Sequence, residues 1–205
     1  MFQINWKLKA LLYKVFGFFN LKHTFYLIQK YVTKRSKVNI NVLSIHWKRH
    51  GKTIEKYNCK NILEIGAGKS LEQNIFLSYN FNNKVKQTTI DINPMLDFQL
   101  FNQASKQISS LMNKEFKGFA RNYDDLKNIY NIEYFAPHSI DKLIKTDTKF
   151  DLCISTTTLE HFSIADLKNF LKKINLILKE KQLISSIIDY SDHYAHTDNK
   201  ITYLN

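Results

Sequence analysis

The sequence predicts an α/β fold: a doubly wound, mainly parallel sheet covered by helices on both faces. Two observations carry this expectation. Short apolar runs of strand length recur after residue 40, and stretches with apolar residues at three- and four-residue spacing alternate with them. The runs are apolar on both sides, as strands buried between two helical layers must be. The chain has 205 residues, 44% of them hydrophobic and 23% charged, which suits one globular domain and excludes disordered or collagen-like classes. No fixed-period repeat is present.

The first run, residues 61–65, ends in Glu64-Ile65-Gly66 and reads as a buried strand entering a turn. Residues 87–92 are short and β-branched, a second strand. Asn93 and Pro94 then offer an N-cap and a first-turn proline to a helix whose buried stripe is Phe101, Ala104, Ile108 and Leu111. Residues 122–130 predict another helix, 132–135 a third strand and 150–155 a fourth. Ser163 with Asp166 caps a helix striped by Leu167, Phe170, Leu171, Ile174 and Ile177. Residues 182–188 make a fifth strand, apolar on both faces. Connections between such parallel strands are right-handed crossovers.

The net charge of +12 is spread along the chain and is mostly Lys, with Arg only at positions 35, 49 and 121. That dispersion argues against a nucleic-acid interface, which clusters its charge and favours Arg. Cys59 and Cys153 stand alone, without the paired spacing of a zinc ribbon or a disulfide framework, and fit a reducing, cytoplasmic setting. Residues 1–40 are set apart as a basic, aromatic-rich helical segment, with the domain proper over 41–205. Lys14 interrupts the apolar run of this segment short of a membrane span. Two readings of residues 1–37 stand: a segment packed on the domain or over its active site, or an interfacial helix on an anionic membrane. His46 and His50, helically spaced beside Trp47, read as surface or packing residues.

In a sheet of this kind ligands bind beyond the C-terminal ends of the strands. Glu64-Ile65-Gly66-Ala67-Gly68 closes the first strand, where Gly66 and Gly68 allow backbone conformations that a Cβ would block. Asp91 closes the second strand, where a carboxylate can accept both hydroxyls of a ribose. Leu71 stands where a dinucleotide fingerprint has its third glycine, which favours a nucleoside without pyrophosphate.

The segments Phe150-Asp151-Leu152-Cys153-Ile154-Ser155 and Leu159-Glu160-His161 resemble the fourth-strand region of class I S-adenosylmethionine-dependent methyltransferases. With Asp91-Ile92-Asn93-Pro94-Met95, Tyr134-Phe135-Ala136-Pro137 and the stretch from Ile188 to His196, the resemblance runs from about Ile62 to the end, and the last of these stretches looks like a subgroup of bacterial methyltransferase-domain proteins. It implies a Rossmann-like domain using S-adenosyl-L-methionine for methyl transfer to an unidentified acceptor; a catalytically inactive, methyltransferase-like binding module is the rival. By resemblance, Glu64, Gly66, Ala67 and Gly68 cradle the amino-acid part of the cofactor and Asp91 holds the ribose. Ser155 and Thr156 line the floor. The family often has an Asp after the third strand to read adenine, and here His138 and Ser139 stand there, with Ser139 as the cofactor contact. His161 reads either as a general base or as a structural turn residue. Asp189, Asp192, His193 and His196 read as acceptor-binding residues, or as loop hydrogen-bonding groups, rather than as a metal site lacking a full ligand set. The resemblance also leads one to expect two more strands, for which the sequence leaves no room. The fifth strand is then expected to be an edge open to self-association.

Overall fold

The structure, a computed structural model, describes residues 38–190. The expectations for residues 1–37, and for the chain beyond residue 190, fall outside them. Twelve elements are ordered along the described chain. Helix α1 (Ile45–Tyr57) precedes β1 (Asn61–Ile65), and α2 (Glu72–Asn80) leads to β2 (Lys86–Ile90). Then come α3 (Phe98–Leu111), α4 (Tyr123–Tyr130), β3 (Ile132–Phe135) and the short α5 (Ile140–Ile144). β4 (Phe150–Thr156), a 3-10 turn (Leu159–His161), α6 (Ile164–Ile174) and β5 (Leu178–Ile187) complete the order.

The strands lie in the order β3-β2-β1-β4-β5 and every pair is parallel. The order reverses beside β1, which places β1 and β4 at the switch point of the sheet. The fold is doubly wound and Rossmann-like. Alternation along the strands splits the core between two faces. Ile62, Leu152 and Ile154 pack with Phe76, Phe101 and Tyr130 of α2, α3 and α4, whereas Leu63, Ile65 and Cys153 pack with Phe170 and Ile174 of α6. Val38–Ile188 form one compact unit, its first residues tied to α3 by the Gln107 side chain, which accepts from Ile40 N and donates to Val38 O. No helix among the described residues is long and apolar enough to cross a membrane.

Several boundaries differ from the sequence-based expectation, each for a local reason. Asp97, not Asn93, caps α3: its Oδ1 accepts the N–H groups of Gln99 and Leu100 at 2.9 and 3.2 Å. Asn93 and Pro94 instead lie in the loop after β2, and β2 ends at Ile90 so that Asp91 and the exposed Ile92 stand beyond it. Leu111 closes α3 half-exposed, so the buried stripe is Phe101, Ala104, Ser105 and Ile108. On α6 Leu171 is exposed, and Ile177 is buried in the turn after the helix. Strand β5 begins earlier than expected, and Ile184 stays 38% exposed, so β5 is not apolar and covered on both faces. Helix α2 has no counterpart among the sequence-based expectations. Its residues from Gln73 to Tyr79 are all buried, which removes the amphipathic signal that marks a surface helix.

Candidate active site

A cleft of about 940 Å³ opens over the C-terminal ends of the strands. Its walls come from the loop after β1, the Asp91–Asn93 stretch after β2, the residues around His138 after β3, and Thr156, Thr157 and Thr158 at the end of β4. Two glycines shape the first loop in different ways. Gly66 has φ 77° and donates its N–H to Ile90 O at 3.1 Å; a Cβ there would collide with the Thr158 side chain. Gly68 has φ 76°, and a Cβ there would meet no heavy atom within 4 Å. The cradle at Gly68 is therefore open space that a side chain would fill. Leu71 also takes the left-handed backbone, with φ 49°, but its side chain is wholly buried in the core rather than on the cleft wall. Leu71 thus keeps the geometry of a glycine turn without narrowing the cleft.

Glu64 reaches the cleft from β1 yet is 2% exposed. Its Oε1 accepts from Gln73 Nε2 at 2.6 Å and its Oε2 from Asn74 Nδ2 at 2.5 Å, both from the first turns of α2. Burial pushes its pKa from the usual 4.5 up to about 8; the Asn74 hydrogen bond opposes this, the Asp91 charge adds to it, and the Gln73 hydrogen bond opposes it again. The Gln73 carbonyl accepts from Thr156 Oγ1 at 2.8 Å, and Thr156 Oγ1 lies 3.0 Å from His50 Nε2. His50 Nδ1 is 2.8 Å from Ser185 Oγ on β5. Of the two readings of His50, surface or packing residue, the structure excludes the surface one. His50 is fully buried, and burial, with His46 nearby, drops its pKa to about 4.

Asp91 is the second buried acid of the cleft. Burial raises its pKa, while hydrogen bonds from the Tyr134 hydroxyl and the Ala67 N–H pull it back. Tyr134 is anchored in turn by the Met95 N–H, which donates to its Oη at 3.1 Å. Asp91 Oδ2 is buried and has no hydrogen-bond partner. Such an orphaned carboxylate oxygen is costly unless a ligand donates to it. Nearby, His138 donates its N–H to Asp91 O at 2.9 Å, and its Nε2 is likewise buried without a partner. A nucleoside fits this donor set: acceptors stand ready at Asp91, and backbone can approach closely at Gly68.

Of the residues singled out in the sequence, Glu64, Gly66, Ala67, Gly68, Asp91, Ser139, Thr156 and His161 all line this one cleft. Ser155 does not. It is buried, its Oγ donating to Ile65 O of the neighbouring strand at 3.4 Å. His161 sits exposed in the 3-10 turn after β4, its N–H bonded to Thr158 O at 3.1 Å. Asp189 comes after β5, and Asp192, His193 and His196 lie outside the described residues. Among the described residues no group of three or more His, Cys, Asp or Glu could hold a metal ion. Sequence reasoning missed His50, Gln73 and Tyr134. The first had a visible signal, since Trp47, His50, Gly51 and Ile54 fall on one helical stripe, and a polar residue on an apolar stripe needs buried partners.

No family model matches the sequence, and no curated protein matches it. Solved structures do resemble it. A Staphylococcus aureus protein provisionally named a caffeoyl-CoA O-methyltransferase aligns with a TM-score of 0.42 at 16% identity, over 87% of this chain and 71% of that one. The methyltransferase domain of bacterial CtHen1 aligns at 0.42 and 15%, over 64% of this chain and 59% of that one. The plantazolicin methyltransferase BpumL, in complex with SAH, aligns at 0.40 and 15%, over 65% and 44%. Each of the three is named as a methyltransferase. This chain spans less than two thirds of the second and third.

Proposed function

We propose that the chain is a class I methyltransferase that binds S-adenosyl-L-methionine in this cleft and transfers its methyl group to an acceptor. The observation that carries the proposal is the orphaned Asp91 Oδ2 beside the open Gly68 cradle. When bound, the cofactor would supply a methyl on a sulfonium, an electrophile with a good leaving group, so alignment is the main task left to the protein. Asp91 would accept the two ribose hydroxyls, with Tyr134 and the Ala67 N–H holding its carboxylate in place. Glu64 would face the ammonium of the amino-acid end. The backbone at Gly68 would close on the ligand, and Thr156 would lie beneath it. His161 would take up the proton of an acceptor that loses one on methylation, at an imidazole nitrogen on the cleft wall.

The test is calorimetry with S-adenosylhomocysteine, followed by transfer of labelled methyl into a lysate of the source organism. S-adenosylhomocysteine is expected to bind, and NAD no better than adenosine. Asp91→Ala is expected to weaken S-adenosylhomocysteine more than tenfold, since the ribose loses a charged acceptor worth roughly 1.5–3 kcal/mol. Equal affinity in wild type and Asp91→Ala would remove the ribose role of Asp91, and tighter binding of NAD would overturn the cofactor. His161→Ala is expected to lower turnover with cofactor affinity unchanged.

A further inference from the structure

The hydrogen bonds ending on Glu64 form a continuous path, and counting hydrogens fixes its direction. With Glu64 ionised, Gln73 gives its amide N–H to the carboxylate, so its carbonyl oxygen faces Thr156 and can only accept. The Thr156 hydroxyl places its single hydrogen on that carbonyl. Thr156 Oγ1 must then accept from His50 Nε2. His50 is neutral in its buried site, so its Nδ1 is the acceptor and Ser185 is the donor. Ser185 on β5, His50 on α1, Thr156 on β4 and Gln73 on α2 thus make a one-way chain. Every donor in it points toward Glu64 on β1.

Burial alone opposes a charge on Glu64, and so does the Asp91 carboxylate beyond β2. Cys153 of β4, the other titratable group facing Glu64, has its thiol pushed up by burial and stays neutral. On α1, His46 faces His50. The groups that favour the ionised form are the Gln73 and Asn74 amides. Of these, only Gln73 is held in orientation by the path that begins at Ser185. Asn74 is anchored separately, its Nδ2 also donating to Gln87 Oε1; Gln73 keeps its orientation through the path behind it, and a donor so held favours the anion more than one that can rotate away.

We propose that His50 is a positioning residue for ligand binding: through this one-way path it keeps the Glu64 carboxyl ready to ionise against the ammonium of the cofactor's amino-acid end. This rests on the cofactor assigned above.

The experiment uses the full chain and two readouts. One is the titration of the Glu64 carboxyl by carbon-13 NMR without ligand, its signal assigned with Glu64→Gln. The other is affinity at neutral pH for S-adenosylhomocysteine and for methylthioadenosine, which lacks the amino-acid end. His50→Ala and Ser185→Ala are expected to move the Glu64 midpoint to higher pH. They should weaken S-adenosylhomocysteine by about tenfold and leave methylthioadenosine nearly unchanged, because only the former brings an ammonium to Glu64. Ser185→Thr, which keeps the hydroxyl donor to His50, is expected to leave both readouts as in wild type. Should His50→Ala fail to fold, Ser185→Ala removes the far donor without a large cavity and should act in the same direction. An unmoved midpoint, or equal losses for both ligands, would overturn the role of His50 while leaving the cofactor assignment standing. A wild type that binds neither nucleoside would overturn both.

Discussion

Gly66 and Gly68 share a left-handed backbone, with φ 77° and 76°, yet their surroundings assign them different work. A Cβ at Gly66 would run into Thr158, whose hydroxyl is held by Thr156 O and Gly66 O. Gly66→Ala should therefore destabilise the fold by about 2–5 kcal/mol, left-handed strain and overpacking together. At Gly68 the strain is similar but the space is empty, so Gly68→Ala should cost only about 1–2 kcal/mol of stability. Its larger effect should fall on nucleoside affinity, because the new methyl occupies the cradle. Urea unfolding and calorimetry on the two variants separate these outcomes; a Gly68→Ala protein that binds as well as wild type would remove the cradle from the site. The two glycines and Asp91 were legible in the sequence because turn glycines and a carboxylate ending a strand are local signals. The orphaned Oδ2 was not, since it depends on Tyr134 and Ala67 arriving from elsewhere.

At the level of elements, legibility followed amphipathicity. Strands β1, β3 and β4 and helices α4 and α6 carry their signals in adjacent residues and were readable. Helix α2 was not, because both of its sides are buried and its polar residues Gln73 and Asn74 face a buried acid instead of solvent. The start of α3 was misplaced because Asn93-Pro94 is a good local cap, whereas the chain continues to Asp97 before turning helical. There Asp97 N donates to Lys69 O at 2.9 Å, so contact with the β1 loop sets the boundary. The two candidate caps differ measurably. Asp97→Ala should lower stability by about 1 kcal/mol through loss of the cap. Asn93→Ala, in the loop, should change it by less than about 0.5 kcal/mol. Urea midpoints for the two variants decide which residue is the cap, and a larger loss for Asn93→Ala would contradict the observed start of α3.

Across the whole molecule, the parallel sheet was legible from its repeated apolar runs, while the proton balance of its interior was not, because burial is a property of the packed chain. Glu64 dominates that balance among the carboxylates of the cleft. Folded, it holds its proton up to about pH 8, whereas in the unfolded chain it releases it near its usual 4.5. Between these values the unfolded state binds fewer protons, so the Glu64 contribution is fully present below 4.5 and is lost as pH rises through 8. Asp91, also raised by burial, acts in the same direction. Asp151 and Glu133 are held below the usual carboxylate range; burial pushes their pKa values upward, but ion pairs and hydrogen bonds outweigh it. Their contributions are present at higher pH and are lost as the solution turns acidic. Buried His50, its pKa dropped from 6.5 to about 4, acts in the opposite direction and adds stability as pH rises between these values, so the net loss of the ligand-free protein should fall between about pH 6.5 and pH 8, and Glu64→Gln, which never ionises, should lose less there. The gap between the two should widen steadily with pH and narrow again when S-adenosylhomocysteine is added to wild type, because an ammonium beside Glu64 offsets the buried charge. Urea titrations at several pH values, with and without the ligand, read this directly. Parallel stability curves for wild type and Glu64→Gln would mean that Glu64 is already ionised in the folded protein at low pH, and the buried acid would then have to be balanced by a cation other than the ligand.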